Sequence, residues 1–314
     1  MQPPDCTHKD VLCAALVTDT LGLDDHGINQ DAWAGLEAAK AAGLADQIAY
    51  IESVDSRDYD KNIAYFADRG YDLIVTSGIA LQDETLRAAD LYPDSVFVGM
   101  NQPQVDTIPN FISVTFPEDQ MGFAAGVLAA RLTKTGVVAG VCETSGIDSM
   151  WRYCEGFRAG VTYADDSVRI LIAYREGGHR EQLFVDEAWG YENANRLIFR
   201  GGDVVFAAGG VTAQGALRAA SESNAYAIGT ERDQAASLGE SGRGVVASVR
   251  GRASFEVQEV MRLLRDGQIS EPRSGQILLL LDEKMSESLR NELDSIIFGL
   301  WVGDVMTDVT IRKP

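Results

Sequence analysis

Histidine is almost missing from this chain. His8, His26 and His179 are the whole supply in 314 residues. None stands near a candidate serine or cysteine nucleophile, so a Ser-His-Asp hydrolase centre has little to be built from. Basic residues are short as well: 27 Lys and Arg stand against 47 Asp and Glu, a formal charge of -20. Phosphates attract basic surfaces, so this balance argues against nucleic acid or anionic membrane as partners and favours a neutral, zwitterionic or weakly polar ligand. Long apolar runs are lacking too, and residues 276–281, among the longest, are far too short to span a bilayer. No basic segment followed by an apolar one opens the chain. The start, MQPPDCTHKD, suits a mature or trimmed N-terminus as well as a natural cytosolic one. The four cysteines, Cys6, Cys13, Cys142 and Cys154, match no zinc spacing. Cys142 and Cys154 flank one turn, which leaves a disulfide open, while Cys13 and Cys142 also read as small apolar strand residues. Cys6 is the candidate for lipid attachment, although the QPPD before it is not a lipobox.

What the sequence does hold is an alternation of apolar, β-rich runs with helical periodicity, the pattern of parallel sheets with helices on their faces. Strands are predicted at 11–17, 48–52, 72–76, 96–99 and 112–116, and again at 136–141, 168–173, 203–207, 226–229 and 245–249. Between them, residues 29–42 carry Trp33, Leu36 and Ala39 or Lys40 at helical spacing with Gly43 as the stop. Residues 58–69 bury a stripe of Ile63, Phe66 and Ala67. Trp33, Phe123 and Phe157 are expected in cores.

The two series resemble each other. DLIVTSG at 72–78 matches DVVFAAG at 203–209, and in the same register LRAA at 86–89 matches LRAA at 217–220; strands ending at Gly99 and Gly229 follow. WAGL at 33–36 opens a helix much as CEGF at 154–157 does. Matches in one register indicate two related α/β lobes. The N-terminal lobe is expected from residues 1–117 plus about 247–283, and the C-terminal lobe from 118–246 plus about 284–314. Open α/β sheets bind ligands at the carboxyl ends of their strands, so a cleft between two doubly wound lobes is the expected site. The loops that matter are then 18–30, 77–81, 100–104, 142–151, 208–214 and 230–234.

Within them, LVTDTLGLDDHGINQ at 16–30 concentrates the acids. It lacks the alternating oxygen ligands of a calcium loop. Asp24 and Asp25 read as turn and helix-entry residues, His26 as a polar loop residue, and Asp19, directly after a strand, as a ligand contact. Glu231 and Asp233 resemble a glycosidase pair only in type; a ligand acceptor and a cap are the plainer reading. AGGVT at 208–212 precedes a helix and lacks the lysine of a P-loop, which favours close backbone approach to a neutral ligand, with Gly209 and Thr212 in contact.

The opening segment VTDTLGLDDHGINQ at 17–30, followed by AWAG at 32–35, resembles the signature of the basic membrane protein family, in which VTD, a glycine, DD and FNQ precede AWEG. Further matches come in order: DLIV at 72–75 with Ser77 and Gly78, YPD at 92–94, SVTF at 113–116, GFAAG at 122–126, TKTG at 133–136, GFRAG at 156–160, AIG at 227–229, and Asp233 with Gln234. The resemblance covers about residues 11–270. It implies a type I periplasmic-binding fold without catalysis, cofactor or metal. It further implies an extracytoplasmic and usually lipid-anchored protein that closes around a nucleoside and serves ABC permease subunits as a monomer.

Carried over residue by residue, Asp19 and Asn29 stand in the VTD and FNQ positions. Asn101 stands where the family usually has Asp, Glu231 where an Asp holds ribose hydroxyls, and Arg250 where a Lys is common. Glu231 still accepts two hydroxyls and Arg250 still donates. Ile28 replaces the family's stacking aromatic, and Trp151, after a second-lobe strand, is the residue able to supply that ring. Ser77 and Gly78 complete the expected ligand set. The alternative within the same fold is a sugar-type receptor or ligand-sensing regulatory domain.

Overall fold

The computed structural model describes residues 4–103, 108–177, 182–269 and 271–314; Gln104, at the end of one expected site loop, and His179 lie outside the described residues. Strands form where the apolar runs are densest. β1 (Cys13–Val17), β3 (Leu73–Ser77), β4 (Val96–Met100) and β8 (Val204–Ala208) are buried along their whole length. A parallel strand covered by helices on both faces has no polar side to show, which is why these segments read as continuous rather than alternating.

The chain divides into two compact units: residues 1–116 with 251–276, and residues 117–250 with 277–314. In the first unit β2 (Gln47–Ile51), β1, β3, β4, β5 (Phe111–Thr115) and the short β11 (Arg273–Ser274) lie side by side in that order, each neighbouring pair parallel. In the second unit β7 (Arg169–Tyr174), β6 (Val137–Cys142), β8, β9 (Tyr226–Thr230), β10 (Val245–Gly251) and β12 (Ile277–Leu281) repeat the arrangement, parallel from β7 to β10. The repeat seen in the sequence is thus a repeat of sheet topology. Residues 247–250 and 277–283, expected in the N-terminal lobe, belong to the second unit, because β12 is hydrogen-bonded beside β10 in its sheet. β11 and β12 follow no predicted strand.

Helices α1 (Ile28–Ala41), α2 (Tyr59–Ala67) and α3 (Gln82–Leu91) belong to the first unit. α1 buries Asn29, Ala32, Gly35, Leu36 and Ala39. Trp33 is half-buried, edge-on to Tyr50 of the edge strand β2 at 4.9 Å, and so is not the core residue its spacing suggested. Phe123 and Phe157 are buried, the latter stacked on Phe206 at 4.8 Å.

In the second unit α4 (Glu118–Leu132) and α5 (Asp148–Ala164) carry the GFAAG and GFRAG motifs. A Cβ on Gly122 would lie 2.1 Å from the carbonyl oxygen of Tyr153, and one on Gly160 would lie 2.0 Å from that of Phe123. Small residues four apart on both helices let the two backbones touch, so these family motifs are packing devices rather than ligand contacts.

Each unit holds one disulfide. Cys6 joins Cys13 with Cα atoms 5.6 Å apart, and Cys142 joins Cys154 at 6.5 Å. The sulfur of Cys6 is therefore already bonded, which corrects the expectation of a lipid on it.

Candidate functional site

In the first unit Asp19, Ile28, Asn29, Ser77, Gly78 and Asn101 gather at the carboxyl ends of β1, β3 and β4 and the start of α1. The loop after β1 is built by its own acids. Asp25, buried, accepts from the N–H groups of Gly27 (2.8 Å), Gln30 (3.1 Å) and Asn29 (3.2 Å), capping the first turn of α1. Asp24 is exposed, with His26 Nδ1 3.9 Å away. Asp19 is separate from both. Its Oδ1 accepts from Leu21 N–H (3.0 Å) and from Asn29 Nδ2 (2.8 Å). A Cβ on Gly78 would sit 3.2 Å from Asp19 Oδ2 with φ at +96°, so only glycine lets β3 end this close to the carboxylate.

The Asn29 amide also donates to Gly22 O at 2.8 Å, which assigns its nitrogen and leaves Oδ1 identified as the acceptor. That Oδ1 is buried with no hydrogen-bond partner, and so is Ser77 Oγ at the end of β3. Ile28 is half-buried at the first turn of α1 and Asn101 is exposed just beyond β4.

The second unit places Glu231 and Arg250 at the ends of β9 and β10, Gly209 at the end of β8, and Trp151 in the first turn of α5. Desolvation holds the Glu231 carboxyl above the ordinary glutamate range; Arg232 opposes this, Glu118 repels it further, and the Gly210 N–H partly offsets it. Tyr153 is pushed up by burial and by the same two carboxylates. Glu118 is itself paired with Arg152 at 2.7 Å. The Trp151 ring stacks on Tyr174 (6.1 Å, 18° between planes), and its N–H donates to Thr310 at 3.3 Å. Asp233 caps the short helix α8 (Gln234–Leu238), accepting from Ala236 N–H at 3.1 Å, as the plainer reading of that residue requires.

Two expected ligand contacts are corrected. The amides at the start of α7 (Gly210–Glu222) are used inside the unit: Gly210 N–H by Glu231, and Val211 and Thr212 N–H by Phe184 O, at 2.7 and 3.4 Å. Gly209 is buried with φ at +121°, and a Cβ there would lie 2.6 Å from Glu143 Cβ, so its smallness makes room for protein rather than ligand. Thr212 is fully buried; its hydroxyl donates to Glu143 Oε2 (2.9 Å) and accepts from Asp186 N–H (3.1 Å).

Both residues lead to a centre that sequence reasoning missed. Glu143, 0% exposed, faces Arg175, 3% exposed, at 3.4 Å and also accepts from Phe184 N–H at 2.9 Å. Arg175 reaches Asp186 at 3.0 Å and Gln182 at 3.2 Å. Glu143 follows β6 as Asp19 follows β1. Extending the repeat one block upstream, so that Val17 beside Thr76 matches Val141 beside Ala207 and Asp19 and Glu143 each come two residues later, is the signal that would have found it.

A family model described as ABC transporter substrate-binding protein, PnrA-like, matches residues 13–284. This chain belongs to the Bmp family. It is 31% identical over 240 residues to the "ABC transporter nucleoside-binding protein BmpA" of Lactococcus lactis subsp. cremoris, a match covering 72% of this chain and 65% of that one. It is 32% identical over 234 residues to a "CD4+ T-cell-stimulating antigen" of Listeria monocytogenes (70% and 62%), and 29% identical over 219 residues to "Basic membrane protein A" of Borreliella burgdorferi (68% and 61%). The match thus spans somewhat less than two thirds of these relatives' own lengths.

Among solved structures, an ABC transporter solute-binding protein from Conexibacter woesei superposes with a TM-score of 0.77 at 21% identity, covering 96% of this chain and 100% of that one. A "Transcriptional Activator of comK gene" from Bacillus halodurans gives 0.70 at 22% identity, covering 92% and 96%. These likenesses show the fold, which is the type I periplasmic-binding fold. Among the described residues no helix is long and apolar enough to cross a membrane, and no group of His, Cys, Asp or Glu could hold a metal ion.

Proposed function

We propose that this protein is an extracytoplasmic solute-binding protein that captures a nucleoside, or a related purine- or pyrimidine-like molecule, and delivers it to an ABC permease. The observation that carries the reading is the acceptor set at the strand ends of the first unit. Asn29 Oδ1, on the side chain whose amide nitrogen meets the Asp19 carboxylate, and Ser77 Oγ, at the end of β3, are buried without partners. Leaving a polar atom in this state costs about 1–3 kcal/mol, a cost that a ligand offering several hydroxyl or amino donors recovers on binding.

Glu231 adds a carboxylate partly stripped of water, whose hydrogen bonds to hydroxyl or amino donors are stronger than those between two neutral groups. Asn101 and Arg250 supply further polar contacts, and Trp151 is the aromatic proposed for the base, standing in for the ring that Ile28 does not provide. The nucleoside class is supported by the printed name of the Lactococcus relative. Two disulfides, which persist in oxidising compartments, support a location outside the cytoplasm. Ligand binding then stabilises the form the permease recognises.

The experiment is a thermal-shift panel of nucleosides, bases, sugars and amino acids. A nucleoside at a hundred times its Kd stabilises by about 2.7 kcal/mol, or about 5 °C in Tm. Stabilisation by sugars alone transfers the reading to a sugar receptor, and no response to any nucleoside or base removes the ligand claim.

A further inference from the structure

We infer that Gln102 and Gln234, one in each unit, are positioning residues that hold Asn101 and Glu231 in the left-handed backbone conformation at the strand ends. The inference rests on the ligand reading above only for its effect on affinity. Asn101 has φ +57° and Glu231 φ +72°. Asparagine tolerates that region; glutamate does so at a cost, and such residues persist only where their surroundings fix them.

The two surroundings are built alike. Asn101 N–H donates to Val114 O on the next strand at 2.8 Å, and Glu231 N–H donates to Val249 O at 2.9 Å. Close behind each comes a buried glutamine, Gln102 at 0% exposure and Gln234 at 2%. Gln102 Nε2 donates to Thr76 Oγ1 and Gly78 O, both at 3.0 Å, and its main-chain carbonyl accepts from Ser113 Oγ at 2.7 Å. Gln234 Nε2 donates to Thr230 O at 2.8 Å, while its N–H donates to Ser248 Oγ at 3.0 Å. Ser113 lies on β5 and Ser248 on β10, which occupy the same place in their sheets.

A strand glycine makes room for each side chain. A Cβ on Gly99 would lie 2.4 Å from Gln102 Oε1, and one on Gly229 would lie 2.4 Å from Gln234 Cγ. Gln102 directly follows its residue, whereas Arg232 and Asp233 intervene before Gln234. The spatial match is therefore hidden from a comparison of the two halves position by position.

Two measurements test this. In the unliganded protein, amide hydrogen exchange at Asn101 is expected to rise at least tenfold in Gln102→Ala and in the near-isosteric Gln102→Met, with Glu231 unaffected; Gln234→Met does the reverse. Unchanged exchange at both sites overturns the inference whether or not a ligand binds. With adenosine and cytidine as probes, Gln102→Met is expected to weaken binding about tenfold, as the correct conformation falls to about a tenth of the population. In an Asn101→Ala background the same change is expected to have no further effect, because the group being positioned is gone. Full additivity would show that Gln102 acts on stability alone and overturns the inference. If neither nucleoside binds the parent protein, the proposed function fails and the exchange measurement still decides the positioning role.

Discussion

The same strand position is used in opposite ways by the two units. After β1 the first unit places Asp19, half-buried, with neighbouring polar atoms of Asn29 and Ser77 unpaired. After β6 the second unit places Glu143, sealed from solvent and held by Arg175, Thr212 and the Phe184 amide. One topology thus carries an acceptor set that is incompletely satisfied and another that is closed on itself. Unpaired buried acceptors lower stability and are worth keeping only if something else completes them. A closed ionic network fixes loops in place and leaves little for a ligand to add.

Arg175→Ala should have the largest effect, because it leaves Glu143 buried and uncompensated. A loss of about 3–5 kcal/mol is expected in urea unfolding. Asp19→Ala, at the matching place in the first unit, removes the acceptor of Leu21 N–H and Asn29 Nδ2 and is expected to cost less, about 1–2 kcal/mol, while weakening nucleoside binding about a hundredfold in calorimetry. Equal stability losses in the two variants would break the comparison. A smaller effect is expected for Ser77→Ala, which removes a hydroxyl that has no partner: unliganded Tm holds or rises slightly, and affinity falls about fivefold. A substantial drop in unliganded Tm would show instead that the hydroxyl serves the fold.

Glu231 gives the smallest effect and depends on pH. Its folded pKa is raised, so its contribution to stability is present below the unfolded value and is lost as pH rises through the folded one. Glu231→Gln is therefore expected to raise unliganded Tm by about 2 °C at pH 7, with the gain vanishing in acid, while weakening nucleoside binding at pH 7. Parent-protein affinity is expected to fall as the pH drops through the raised pKa, earlier than for an ordinary glutamate. A Tm gain that persists in acid would remove desolvation as its cause.

Much of the fold was legible because burial on both faces leaves a parallel strand no choice but a continuous apolar run. The predicted strands all appear, within two residues at either end. β11 was missed because two residues carry no periodicity, and β12 because an apolar run does not say which sheet it joins. Near the strand ends, the position of Asp19 beyond β1 was readable from the apolar run before it, whereas Asn29 and Glu231 were singled out only by the family resemblance. Thr212 and Gly209 were misread for a physical reason: the same residue types that line a ligand also line a buried carboxylate, and the sequence before Arg175 gives no sign that it reaches Glu143.

The sequence by itself determined two α/β units of related topology, their strands, the separation of Asp19 from its capping neighbour Asp25, and the family. Only the tertiary structure decided which polar groups are paired. That depends on contacts such as Glu143 with Arg175 and Gln102 with Thr76, made between residues far apart in the chain, where distance and desolvation rather than residue type set the outcome.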